Sequence, residues 1–183
     1  MNSVLLSVRP QWCELIANGK KTIEVRKTRP KLETPFKCYI YQTKPKDRLI
    51  TITRDGDENY GEIYHGKPVF IKTYGEDYWT GRNQKVIGEF VCDHITNLFT
   101  NSRFWLDEKA VEQACLTGEQ IREYANGKDA YGWHISALQI YDKPRELSEF
   151  RKPIMPMGLR YEDDAIKRAT QSWCYVEEYD GKR

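Results

Sequence analysis

The chain has 183 residues, of which 39% are hydrophobic and 31% charged, and its net charge is only +2. That length suits a single domain with a core of its own, and the composition excludes a disordered chain. No run approaches the roughly 20 apolar residues of a membrane helix, and "MNSVLLSVRP" lacks the basic start and small-residue cleavage site of a signal peptide, so a soluble, cytoplasmic protein with no membrane partner is expected.

"SVLLSVRP" reads as a strand ended by a proline, and Pro10 suits the first position of a helix, where its missing N–H is no loss. Trp12, Leu15 and Ile16 follow at helical spacing and Gly19 supplies a stop, which predicts a short amphipathic helix over 10–18. The chain then turns directly into a strand, "TIEVR". Side chains two apart share a face there, so Ile23 and Val25 go to the core while Thr22, Glu24 and Arg26 go to the other side. "KCYIYQTK" (37–44) is a second strand, with Cys38, Ile40 and Gln42 opposed to Tyr39 and Tyr41.

The segment from about 45 to 84 contains "ITITR", the turn-like "DGDENYG", "KPVFIKTYG" and a polar stretch, and it reads as a hairpin-like insertion. "KVIGEFVCDHITNLF" (85–99) is a long strand in which Gly88 marks a bulge. A helical pattern over 108–124 turns Val111, Cys115 and Ile121 inward. A strand from Trp133 to Tyr141 ends before Pro144, and "SWCYVEEY" closes the chain as a last strand. Five to seven strands with two short helices predict an α+β, mainly β fold: a small barrel with helices packed at its openings.

Charge is unevenly distributed. Up to Arg54, twelve basic residues stand against four acidic ones, an excess of eight, so the remainder carries −6. Such a basic segment in a near-neutral protein is the footprint of phosphate contact; the ordinary alternative is a solvated lysine-rich surface. Lys21, Glu24 and Arg26 concentrate the question. A glutamate and an arginine two apart on an exposed strand face can pair with each other for about 0–1 kcal/mol, which would leave Lys21 unexplained.

Gly19, Lys21, Glu24 and Arg26 in "GKKTIEVR" match the G-x-K-x-x-E-x-R motif, and "LSVRPQWCELIANGKKTIEVRK", "VIGEFVCD", "YGWHISALQIYDKPREL" and "SWCYVEE" extend the likeness over about two thirds of the chain. The sequence resembles the ASCH (activating signal cointegrator homology) domain family of the PUA-like superfold; the segment near 45–84 is not accounted for by the likeness. The resemblance implies a PUA-like β-barrel with a cleft beside the first helix, lined by the motif and suited to RNA or a modified nucleoside or nucleotide. Lys21 and Arg26 can meet phosphate or a base edge, and Glu24 can accept from an exocyclic amine or a sugar hydroxyl. Lys20 and Arg9 extend the candidate ligand-binding set, as do Tyr41 and Trp133, which with Trp12 and Trp79 offer stacking surfaces. Trp12 also fits a core position.

The likeness also admits catalysis. Some small relatives resemble amidohydrolases that deacylate a cytidine derivative with a lysine, a threonine and a glutamate. Lys21 stands at the lysine position, whereas Glu24 replaces the threonine and cannot act as a hydroxyl nucleophile. Thr22 is a substitute on the same face, and the family's glutamate falls near Glu112 or Glu119. Ribonuclease activity, associated with other relatives, would use Lys21 and Arg26 to stabilise charge and Glu24 as a base. Binding and catalysis stay open on the residues alone, and with them the catalytic roles of Lys21 and Glu24.

No cofactor is expected, since no phosphate-binding or nucleophile-elbow motif is present, and no metal site either. The five cysteines are scattered and form no C-x-x-C pair, which reads as small buried hydrophobes. Cys92 and His94 are two donors where zinc needs three or four, and the acidic "DGDENYG" lacks calcium-loop spacing.

Overall fold

The computed structural model describes residues 2–44, 51–53, 60–64, 67–71, 82–100, 105–155, 158–160 and 162–179. Trp79, His65 and the acidic stretch before Tyr60 lie outside these residues.

β1 (Asn2–Val8), β2 (Ile23–Arg26), β3 (Phe36–Gln42), β7 (Lys85–Asn97), β10 (Tyr131–Glu146) and β11 (Trp173–Glu177) form one sheet in the order β11-β1-β3-β7-β10-β2. Only the β1–β3 pair is parallel, and α1 (Pro10–Ala17) lies between β1 and β2 in the chain. The sheet curls into a half-barrel. Its inner face carries Val4, Leu6 and Val8 of β1, Cys38 and Ile40 of β3, Phe90 and Cys92 of β7 and Trp133 of β10, and α1 plugs the interior with Cys13 and Ile16. The outer face of β1 and β3 packs Leu5, Tyr39 and Tyr41 against Phe150, Ile166 and Val176.

The interval between β3 and β7 carries three antiparallel strands, β4 (Thr51–Thr53), β5 (Tyr60–Tyr64) and β6 (Lys67–Ile71), which pair with one another in a sheet of their own. A short ladder follows β7, from β8 (Phe99–Thr100) to β9 (Trp105–Leu106).

Two elements depart from the sequence pattern. The helical stretch over 108–124 is two helices, α2 (Glu108–Gln113) and α3 (Gly118–Ala125). Cys115 takes a positive φ of 52°, and Thr117 begins α3 with a capping box in which its hydroxyl accepts from Gln120 N–H and the Gln120 side chain accepts from Thr117 N–H. The inward residues are Ala110, Ala114, Ile121 and Ala125; Val111 is half-buried and Cys115 turns partly outward. β10 runs past Tyr141 through Pro144, because the β7–β10 register shifts between Ile140 and Arg145 and leaves the proline outside the regular ladder.

Gly88 does sit at an irregularity, where the β3–β7 register shifts between Ile40 and Tyr41. A Cβ there would lie 2.5 Å from the Gln139 carbonyl oxygen of β10, so the strands approach at a distance that only glycine permits. Gly19 ends α1 with a φ of +73°, which turns the chain straight toward β2. Among the described residues no helix is long and apolar enough to cross a membrane.

Candidate functional site

β2 is buried on both faces, and this determines the character of the motif. Ile23 and Val25 face the α2–α3 pair with Leu98, Ala110, Ala114 and Ile121. The alternate residues Glu24 and Arg26 turn the other way, toward the half-barrel, and they are 6% exposed each; Lys21 is 2% exposed. The motif is therefore not a solvated strand edge. Three ionisable side chains are enclosed together, an arrangement that proteins tolerate only with close partners.

Glu24 is the hinge of the cluster. Its Oε1 lies 2.8 Å from Arg26 Nη2 and its Oε2 lies 3.5 Å from Lys21 Nζ. Lys21 also donates to the Ala114 carbonyl at the end of α2 at 2.7 Å, and its ammonium stands 5.2 Å over the ring of Trp12, so one side chain links α1, β2 and α2. Burial pushes the Lys21 pKa below the ordinary lysine value, and the charge and hydrogen bond of Glu24 pull it back part of the way.

Arg26 spans a seam in the fold. β2 and β11 are the two free edges of the main sheet, and the guanidinium reaches from β2 to the Ser7 carbonyl of β1 at 2.9 Å and the Ser172 carbonyl before β11 at 3.3 Å. Ser7 N–H donates to that same Ser172 carbonyl. The planar fork thus joins the edges that backbone pairing leaves apart. Cys13 of α1 lies within reach of the same charges: burial raises its thiol pKa far above the usual value, with Glu24 raising and Arg26 lowering it.

Cross-strand partners extend the site along β10. Tyr131 stands opposite Arg26 and Trp133 opposite Glu24, which puts both rings on the face of the motif charges. Trp133 is wholly buried, edge-on to Phe36 at 5.7 Å and tilted against Trp173 at 5.8 Å, so it is part of the wall and not an open platform. Trp173 continues the wall to Tyr175. The basic segment after β2 lies over these rings: Arg29 stands over Tyr131, Trp173 Nε1 donates to Thr28, and Tyr175 accepts from Lys31 N–H. Lys27 stands over the ring of Tyr124 of α3, a residue that is 40% exposed.

The remaining candidates are dispersed. Lys20 is exposed beside Lys21, and Arg9 is exposed at the start of α1, two residues after Ser7. Trp12 is half-buried against the inner core. Tyr41 points to the outer face of β3 with Leu5 and Phe150, away from the motif. Thr22 is fixed through its backbone to Gln113 and Ile135, and Glu112 and Glu119 are exposed on α2 and α3. Cys92 does not join His94 in a ligand pair, since its thiol is buried and donates to the His94 carbonyl. In the motif cluster the Glu24 carboxylate is already engaged by two basic side chains, Lys21 and Arg26.

Tyr124, Tyr131 and the Ala114 carbonyl were not evident as site groups in the sequence. Tyr131 lies two residues before Trp133, so strand alternation puts it on the same face. The Lys21–Ala114 contact joins positions 93 apart and has no local signal.

Comparison with known proteins agrees with this architecture. The family model described as "ASCH domain" matches residues 6–145, which is more than half of the chain. An ASCH crystal structure from Zymomonas mobilis superposes with a TM-score of 0.50 at 20% identity, covering 79% of this chain and 73% of that one. A mutant ASCH protein from Zymomonas mobilis gives 0.56 at 18% identity, covering 97% and 89%. A search of the curated proteins finds no match. The family model, which spans more than half of the chain, makes this chain a member of the ASCH domain family.

Proposed function

We propose that the protein binds single-stranded RNA or a modified nucleotide at the cleft around Lys21, Glu24 and Arg26. The observation that carries this reading is the charge imbalance of an enclosed site. Two basic side chains meet one carboxylate where solvent is largely excluded, so an anionic or carbonyl-rich ligand gains more there than at an open surface. Two donors on the same face, Arg26 Nε and Trp133 Nε1, are buried without an acceptor among the described residues, which also favours a polar ligand.

Around the cleft, Lys20, Lys27, Arg29 and Lys31 are exposed and suited to phosphates, and Tyr124 offers a partly open ring on which a base can stack. Lys21 and Glu24 would read the base or sugar edge. Arg26, spent largely on Ser7 and Ser172, would hold the cleft in shape. The strands between β3 and β7 are read as an insertion on a single domain.

A catalytic reading has one observation in its favour, the lowered pKa of a buried lysine held against a carboxylate, which is how enzymes prepare a base or a nucleophile. One experiment separates the two. Fluorescently labelled RNA oligonucleotides and N-acylated cytidine are incubated with the protein and with its Lys21→Met and Tyr124→Ala variants, and anisotropy and product are followed in the same samples. Salt-sensitive retention of RNA that both variants weaken, without product, is the expected result. Acyl release or RNA fragments that depend on Lys21 would replace binding by catalysis, and unchanged retention by both variants would remove the cleft from the function.

A further inference from the structure

A second cluster lies on the other side of β10. Along the β7–β10 ladder Cys92 pairs with Ile135 and Ile95 with Trp133, so two residues of β7, Asp93 and His94, stand opposite the single residue His134. This is a β-bulge, a device that re-aims side chains. Here it brings three potential metal ligands to one place. Nδ1 of His94 lies 2.8 Å and Nδ1 of His134 2.7 Å from the same oxygen, Oδ1 of Asp93. The two imidazoles stack with centroids 4.5 Å apart and planes at 24°, and the potential ligand atoms of the trio all fall within 4.8 Å of one another.

From this we infer that Asp93, His94 and His134 form a binding site for a borderline divalent transition-metal ion, zinc or an ion of similar chemistry. Two imidazole nitrogens and one carboxylate oxygen are the donor set of such ions, whereas magnesium and calcium prefer oxygen throughout. Ligands about 2.0–2.1 Å from a tetrahedral ion stand roughly 3.3 Å apart, so an ion needs the carboxylate to withdraw by about half an ångström and the two stacked rings, whose planes differ by 24°, to turn toward a common point. Asp93 is partly exposed, at 40% of its side chain, and has room to move. A trio of protein ligands leaves at least one coordination position for water or a ligand oxygen. The ordinary alternative is a carboxylate that accepts from two imidazoles with no ion. What distinguishes the site is that both rings direct the same nitrogen to one point from adjacent strands.

The site is independent of the RNA reading, since His134 pairs with Ile23 and alternates with Trp133, which stands opposite Glu24. The test uses the full chain, stripped with chelator and dialysed, then titrated with zinc by calorimetry and with cobalt(II) by visible absorption. Expected are one equivalent of zinc, a cobalt spectrum without a thiolate charge-transfer band, and affinity weakened by about 10-fold or more in each of His94→Ala, His134→Ala and Asp93→Ala. The metal should also raise the unfolding temperature of the wild type and not that of His94→Ala/His134→Ala, a comparison that a poorly folding single variant does not obscure. Absence of saturable binding, equal affinity in the double variant, or a thiolate band that moves the ion to a cysteine would each overturn the assignment.

Discussion

Replacing Glu24 by glutamine keeps the shape of the side chain and removes the negative charge that pairs with both Lys21 and Arg26. Removing one partner of a buried ion pair costs about 3–5 kcal/mol, because the remaining charge stays enclosed without compensation. Two features of the structure set the value near the lower limit. Arg26 keeps the carbonyls of Ser7 and Ser172, and Lys21, whose pKa burial already lowers, can give up its proton once Glu24 no longer holds it. The sign of the pH dependence follows. Between its lowered native pKa and the ordinary value of 10.5, Lys21 binds more protons in the unfolded chain than in the native one, so native stability rises with pH across that window. In Glu24→Gln the native pKa falls further and the window extends downward. The expected result is a loss of about 3 kcal/mol at neutral pH, equivalent to roughly 6–12 °C in a chain of this size, that shrinks as pH rises. Urea unfolding followed by tryptophan fluorescence at several pH values measures it. A loss below about 1 kcal/mol with no pH dependence, as for a solvated surface pair, would refute the reasoning.

Gly88→Ala places a Cβ 2.5 Å from the Gln139 carbonyl, so a loss of about 1–3 kcal/mol in thermal unfolding is expected, larger than for Gly132→Ala, where the nearest atoms are side-chain methyls at 2.9 Å. Native-state alkylation followed by mass spectrometry should modify the partly exposed Cys115 first and spare Cys13, Cys38 and Cys92, since burial raises the first two thiols far above their usual range and pushes Cys92 up to about 12. If Lys27, Arg29 and Lys31 contact RNA phosphates, their joint replacement by serine should reduce the slope of log affinity against log salt by about 2, at about 0.7 per single-strand contact; an unchanged slope would place the phosphates elsewhere.

The parts of the fold legible in the sequence are those whose signals are local. Pro10 and Gly19 bracket α1, the alternation of Cys38 and Ile40 with Tyr39 and Tyr41 separates the two faces of β3, and Gly88 marks the irregularity in β7. Alternation on β2 also divided Ile23 and Val25 from Glu24 and Arg26 correctly. It could not tell that the polar face is enclosed, because that depends on β10, α1 and the segment before β11, which lie far away in the chain. The break between α2 and α3 was hidden for a different reason. Thr117 and Gln120 form a capping box inside a continuous helical pattern, and the pattern alone does not show the positive φ at Cys115. The Asp93–His94–His134 cluster was equally invisible, since period-two reasoning puts adjacent residues on opposite faces and only a bulge brings them together.

The motif's two strongest charges serve different ends, and this bears on what a mutation there can reveal. Arg26 reaches from β2 across the seam to the backbone carbonyls of Ser7 and Ser172, so its loss opens that seam and disturbs the enclosed cluster itself. Lys21 bonds one backbone carbonyl, pairs with Glu24 at 3.5 Å and stands over the Trp12 ring, and none of these contacts crosses the seam between β2 and β11. Loss of function in Arg26→Ala would therefore report on architecture, whereas loss of function in a folded Lys21→Met protein would report on recognition or chemistry, and Lys21 is the residue at which the proposed function of the cluster should be tested.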